Sequence, residues 1–161
     1  MHWPALPEGF ITFETDILSS PKRPENVDFL QRIDTFAAAA DPLDFGAQLR
    51  FAFADSMDRA ILHEHLGDRF RFLAVAPAVE GLVCRALTGF HSSTALVAWP
   101  SLLRTAEACA GQVAGKSQAT CFEGVIRYRN ALSLHCEIAT APLFVAGRRK
   151  LAFSRVSVMP A

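Results

Sequence analysis

The sequence predicts an α+β fold: a five-stranded antiparallel sheet with helices across one face, preceded by an N-terminal helical extension. Three observations predict it. Residues 25–57 carry apolar side chains at three- and four-residue spacing, the period of a helix with one buried face. Residues 60–76 switch to alternation on both sides of Leu66-Gly67-Asp68, the pattern of two strands joined by a tight turn. Residues 120–159 alternate again over two or three further strands.

Composition sets the outer limits. A chain of 161 residues, 51% of them hydrophobic, can build one apolar core without disulfide or metal staples. Sixteen basic and sixteen acidic residues cancel, so no overall charge draws it to nucleic acid or to an anionic membrane. The most apolar stretches, 70–83 and 94–103, are too short to span a membrane and are broken by Pro77, Glu80 and Pro100. The first nine residues hold Pro4 and Pro7 and no basic segment leading into an apolar run. Cys84, Cys109, Cys121 and Cys136 are scattered among small and apolar neighbours, which reads as buried free thiols in a cytoplasmic protein. Thirteen phenylalanines at zero net charge favour self-association.

Each element has its own justification. Phe10 to Asp16 alternates and suits a short strand or an extended arm. Pro21 and Pro24 forbid a helix across 19–24. Val27, Leu30, Ile33, Phe36, Ala37 and Ala40 then mark an amphipathic helix. Asp41-Pro42 stops that helix and starts a second, along which Phe45, Leu49, Phe53 and Met57 step by four as a core-facing stripe. In the hairpin, Ile61, His63 and His65 alternate with Leu62 and Glu64, and Phe70, Phe72, Ala74 and Ala76 with Arg71, Leu73 and Val75. Pro77 ends the second strand, and Ala78, Val79, Leu82 and Val83 sketch a short helix. Thr88-Gly89 breaks the chain before a longer helix defined by Trp99, Leu102, Leu103, Ala106, Ala110 and Val113. Phe122, Ile126 and Tyr128 face one way, against Glu123 and Arg127. Leu134, Cys136 and Ile138 oppose Ser133, His135 and Glu137, as in a half-buried strand. Leu151 and Phe153 are odd where Val156 and Val158 are even, a phase change expected from a bulge or from burial on both faces.

The order of hairpin, short helix, Thr-Gly break, longer helix and three antiparallel strands resembles a PAS domain. The echoes are Phe70-Arg71-Phe72-Leu73 running into Ala76-Pro77-Ala78, Arg85-Ala86-Leu87-Thr88-Gly89, and Ile138 to Phe144 with its Pro142-Leu143 exit before Arg148-Arg149-Lys150-Leu151. The likeness is to atypical bacterial PAS-like sequences and divides the chain into an N-terminal helical extension (1–58) and a sensory domain (59–161). It implies a regulatory module that binds a small apolar ligand or a protein partner, with a separate signalling protein as its output and a homodimer formed through residues 25–57. The ligand-facing residues would be Phe72, Leu82, Trp99, Leu103, Phe122 and Ile126, the inward side of their elements. Two departures bear on cofactors. Leu82-Val83-Cys84-Arg85 is not the flavin-binding cysteine motif, and 99–113 lacks the histidine of haem-binding members. The expectation is therefore neither flavin nor haem, but an unidentified small molecule.

No catalytic motif stands out, and the chain reads as non-enzymatic. His63 and His65 share a strand face, yet a metal site needs a third ligand and Glu64 points away; they read as rim histidines. His91-Ser92-Ser93 lacks the context of an activated nucleophile and reads as a capping loop. Arg127, Arg129, Arg148 and Arg149 read as a solvated sheet edge ahead of an anion site. The rival reading is a hotdog-type thioesterase or dehydratase acting on acyl thioesters, with Glu107 of the long helix as general base. Strand order separates the two: the PAS-like reading sets the hairpin 60–76 beside the C-terminal strands.

Overall fold

Alternating sequence becomes sheet wherever a partner strand is available, and here the hairpin and the C-terminal strands find each other. The computed structural model describes residues 10–39, 45–65, 70–82, 118–128, 132–145 and 149–160. In chain order these form β1 (Phe10–Leu18), α1 (Pro24–Ala39), α2 (Phe45–Ala52) and a 3-10 turn (Met57–Arg59). They continue with β2 (Ala60–His65), β3 (Phe70–Val75), α3 (Pro77–Leu82), β4 (Thr120–Tyr128), β5 (Ser133–Val145) and β6 (Arg149–Pro160). The strands make one antiparallel sheet in the order β1-β4-β5-β6-β2-β3. All five expected strands are present, and the 10–18 segment joins them as a sixth by pairing with β4. The long helix expected over 99–113 lies outside the described residues.

Both faces of the central strands β5 and β6 are buried, and the parity of the strands sorts the core into two clusters. On one face Ile61, Phe72, Ile126, Leu134, Cys136, Ile138, Val156 and Val158 pack with Val79 and Leu82 of α3. On the other, Ala139, Ala141, Leu143, Leu151 and Phe153 pack with Phe29 and Ile33 of α1, Leu49 of α2 and Phe53. The helices expected as an extension thus share a core with the sheet. Here Phe53 stands edge-on to Phe29, Phe36 and Phe153 with ring centroids 5.5–5.6 Å apart, the geometry aromatic quadrupoles favour.

Two-sided burial corrects several local expectations. The phase change in β6 is not a bulge, since its register against β5 runs unbroken from Val145↔Arg149 to Leu134↔Pro160 and residues 151–158 are all buried. Nor is β5 half-buried, because Glu137 and Ala139 on its supposed solvent side lie under α1. Pro142-Leu143 is not an exit: β5 continues to Val145. It tolerates the proline because β4 ends opposite Thr140, leaving β5 with β6 alone at Pro142, where a missing N–H costs no ladder bond on the open side. A bulge does occur in β3, where the register shifts between Leu62 and His63. It puts Phe72 and Val75 on the same face and leaves Ala74 exposed, against strict alternation.

The second helix is also shorter than its four-residue stripe suggests. It stops at Ala52, although Leu49, Phe53 and Met57 all reach the core. The stop is made by α1: Arg32 Nη1 donates to the Ala52 carbonyl at 2.9 Å, and Arg32 Nη2 donates to the Asp55 carboxylate at 3.0 Å. A cation on an unsatisfied terminal carbonyl closes the helix. The same guanidinium lies 5.1 Å from the Phe53 ring centre and contacts Asp28 one turn back at 2.9 Å.

Because Phe53 is fully buried and touches three other rings, Phe53→Ala should lower stability by about 3–5 kcal/mol. Urea unfolding of the variant and the parent checks this as a drop in midpoint at constant slope.

Candidate functional site

The residues that most need explaining are polar and buried. Asn26, Ser56, Glu137, Arg155 and Ser157 are all under 9% exposed, and Glu137 is at 1%. Glu137 and Ser157 face each other across β5 and β6, and Arg155 lies on the same sheet face two residues along. The start of α1 comes down on this patch. Its first helical bonds run from the Asn26 and Val27 amides to the Arg23 carbonyl, so Arg23 is the N-cap and Pro24 takes the first helical position, where no N–H is needed.

Glu137 receives what that helix start must give. The Lys22 amide donates to Oε2 at 2.9 Å, the Arg23 amide to both oxygens at 3.2 and 3.3 Å, and the Asn26 side-chain amide to Oε1 at 2.8 Å. A carboxylate there also meets the positive end of the helix dipole. Asn26 turns its other end to the cation: its Oδ1 accepts from Arg155 Nη1 and from the Ser157 hydroxyl, each at 3.2 Å. Arg155 further donates to Ser157 Oγ at 2.6 Å and to Ser56 Oγ at 3.2 Å. A carboxylate only accepts and a guanidinium only donates, so the Asn26 amide has a single orientation that satisfies both.

The surrounding charges follow from this arrangement. Burial and the nearby Arg59 charge pull Arg155 below its ordinary value, opposed by Glu25, Asp58 and Asp55. Burial would raise the Glu25 carboxyl, but its own backbone N–H and the Arg23 and Arg155 charges hold it below the usual range. At the rim Glu123, paired with Glu137 across β4 and β5, binds Lys22 Nζ at 2.7 Å and lies 3.6 Å from His135 Nε2. With so little solvent reaching Glu137 or Arg155, the cluster acts as a clamp that seats α1 on the central strands.

The opposite face holds the residues expected to meet a ligand. Phe72, Leu82, Phe122 and Ile126 are all buried, and Phe72, Leu82 and Ile126 belong to one cluster; Trp99 and Leu103 lie outside the described residues. The Tyr128 hydroxyl donates to the Leu82 carbonyl at 2.7 Å, tying the end of α3 to β4. Thr140 and Ser154 pair their hydroxyls at 2.8 Å across β5 and β6. His63 is not at the rim: it is fully buried, edge-on to Phe72 at 5.0 Å, and burial pushes its pKa down to about 3. Burial likewise raises Cys121 to about 12 and lifts Cys136 further still. No set of three or more His, Cys, Asp or Glu side chains that could hold a metal ion occurs among the described residues. Arg127 is exposed, while His91, Arg104, Glu107, Arg129 and Arg148 fall outside the described residues. No family model matches the chain, and no curated protein matches it.

The clamp was missed in the sequence because Glu137 occupies a position that alternation assigns to solvent. One signal was present: the same side of β6 carries Arg155 and Ser157, a cation and a small hydroxyl on either side of Val156. Small hydroxyls on a supposed outer face are what a docking helix can cover.

Glu137→Gln sets an N–H group against donors, so it should cost about 2–3 kcal/mol. Hydrogen exchange should show α1 amides losing protection before those of β5 and β6. Acid adds a second expectation. His63 is protonated in the unfolded chain below about pH 6.5 but resists protonation when folded. Stability is therefore level above that pH and falls on acidification toward about pH 3, by up to roughly 1.4 kcal/mol per pH unit. His63→Gln should flatten that part of the stability profile.

Proposed function

We propose that the protein is a cytoplasmic regulatory module of PAS-like type. In this reading a small apolar ligand, held against the face of Phe72, Leu82, Phe122 and Ile126 with Trp99 and Leu103 from the longer helix, biases the seat of α1. The observation that carries the proposal is the construction of the two central strands. Ile138 and Val156 belong to the α3-side cluster, and their chain neighbours Glu137 and Arg155 form the clamp on the other face. Neighbouring residues of a strand point to opposite faces, so a shift of the apolar face moves the backbone that holds α1. The strand order adds support: the 60–76 hairpin lies beside the C-terminal strands through β2 and β6, as the PAS-like reading requires.

Output passes through the helices. Phe51 on α2 is 90% exposed, and Val27 on α1 is 37% exposed; both are apolar surface available to a partner. In this proposal they meet a second copy of the chain, and a separate signalling protein reads the dimer.

Native mass spectrometry of the purified protein should show a non-covalently bound small molecule, and Ile126→Trp should displace it and alter hydrogen exchange in α1. Phe51→Ser should shift the oligomer toward monomer in light scattering. Absence of any bound molecule, with α1 exchange unchanged by Ile126→Trp, would overturn the proposal. Acyl-thioester hydrolysis by the wild type that is lost in Glu107→Ala would replace it with the enzymatic reading.

A further inference from the structure

A pocket lies where α2 meets the β2–β3 edge of the sheet. It encloses about 270 Å³ between the end of α2, the 3-10 turn, the start of β2 and the end of β3, with Phe153 in its wall. The space has a local cause. Ala60, Ala74 and Ala76 line it, and each contributes only a methyl group to the wall. The β3 bulge contributes by taking Ala74 out of the packed core and leaving it exposed.

The lining is apolar except at one point. Arg50, in the last turn of α2, is the single charged residue among the described lining residues, and it is exposed. We infer that this pocket binds a small apolar monocarboxylate, its tail against Met57, Ala60 and Phe153 and its carboxylate at the Arg50 guanidinium. Size admits the tail. An apolar cavity of about 150 Å³ holds the six carbons of benzene, so a space of about 270 Å³ has room for a flexible tail of roughly five or six carbons. Charge selects the head group. An exposed arginine with no acidic residue among the described lining residues favours an anion, and its planar fork suits a carboxylate. The inference stands on this pocket alone and does not depend on the PAS-like reading.

Hexanoate and its neutral counterpart hexan-1-ol are the probes. The chain has three methionines, so a methyl-labelled spectrum holds three methionine signals and Met57→Leu assigns the one that lines the pocket. Hexanoate should shift the Met57 methyl signal saturably and leave Met159 in place. Ala74→Leu, at an exposed position, should fill the pocket and abolish the shift. Arg50→Gln should weaken hexanoate about fivefold, the scale of one exposed ion pair, and leave hexan-1-ol unchanged. The inference is overturned if millimolar hexanoate leaves Met57 unmoved, if Ala74→Leu binds as the parent does, or if Arg50→Gln weakens both probes alike. Since Arg50→Gln and Ala74→Leu alter surface positions independently, poor folding of one leaves the other as the deciding variant.

Discussion

A buried carboxylate at the start of a helix is the constraint from which the rest of this structure follows. Glu137 sits at 1% exposure in the middle of the sheet, where an uncompensated charge would cost several kcal/mol. Compensation comes from two backbone amides and one side-chain amide of a single helix start. Only one placement of α1 satisfies it. Once α1 is set there, Phe29 and Ile33 fall over Phe153 and the odd-numbered side of β5. Arg32 is then positioned to end α2, and the turn after α2 delivers Ser56 to the Arg155 guanidinium. Backbone capping, aromatic packing and the polar cluster are one solution to one buried charge.

The second consequence is a sheet whose centre has no outer side. Strands β5 and β6 are covered on both faces, and their side chains are correspondingly short or apolar: Ala139, Ala141, Ala152, Val156 and Val158. Polar groups survive there only as matched pairs or networks, as with Thr140 and Ser154 on one face and Arg155, Ser157 and Asn26 on the other. At the edge the rule relaxes. Beyond Thr140, β5 keeps only β6 as a partner and can admit Pro142, while β3 carries a bulge.

How much of this was legible depended on whether a residue's neighbours were local. Period alone identified α1, the hairpin, α3 and the last three strands, because each is specified by side chains within a few positions of one another. Pairing between β1 and β4 joins residues more than a hundred positions apart, and nothing in Phe10 to Leu18 distinguishes a strand from an extended arm until β4 offers its edge. Glu137 was misplaced for the same reason: alternation says which side of a strand a residue takes but not what covers that side. His63 shows the converse error. Two histidines at strand spacing resemble a rim pair, but one turns into the core against Phe72, and only the sheet order puts it there. The burial of Phe72, Leu82, Phe122 and Ile126 was legible, since large apolar side chains on the inward side of their elements go to the core. The clamp was not, because it exists only between distant segments.

Apolar packing and the clamp contribute different things to the position of α1. Burial of Phe29 and Ile33 supplies most of the attraction, but hydrophobic contact is nearly indifferent to direction and would tolerate a helix displaced along the sheet. Hydrogen bonds fail steeply with angle and distance, so a displaced α1 would leave Glu137 and Arg155 buried and unmatched. The helix therefore has one well-defined seat, separated from other placements by the cost of two unpaired charges. An element with that property responds to a change in the strands beneath it by staying or leaving, with little stable ground between. Such two-state behaviour is what converts a small shift in a packed face into a distinct output. In the regulatory module proposed above, the residues that would begin the shift, Ile138 and Val156, are the immediate chain neighbours of the two charges that would decide it.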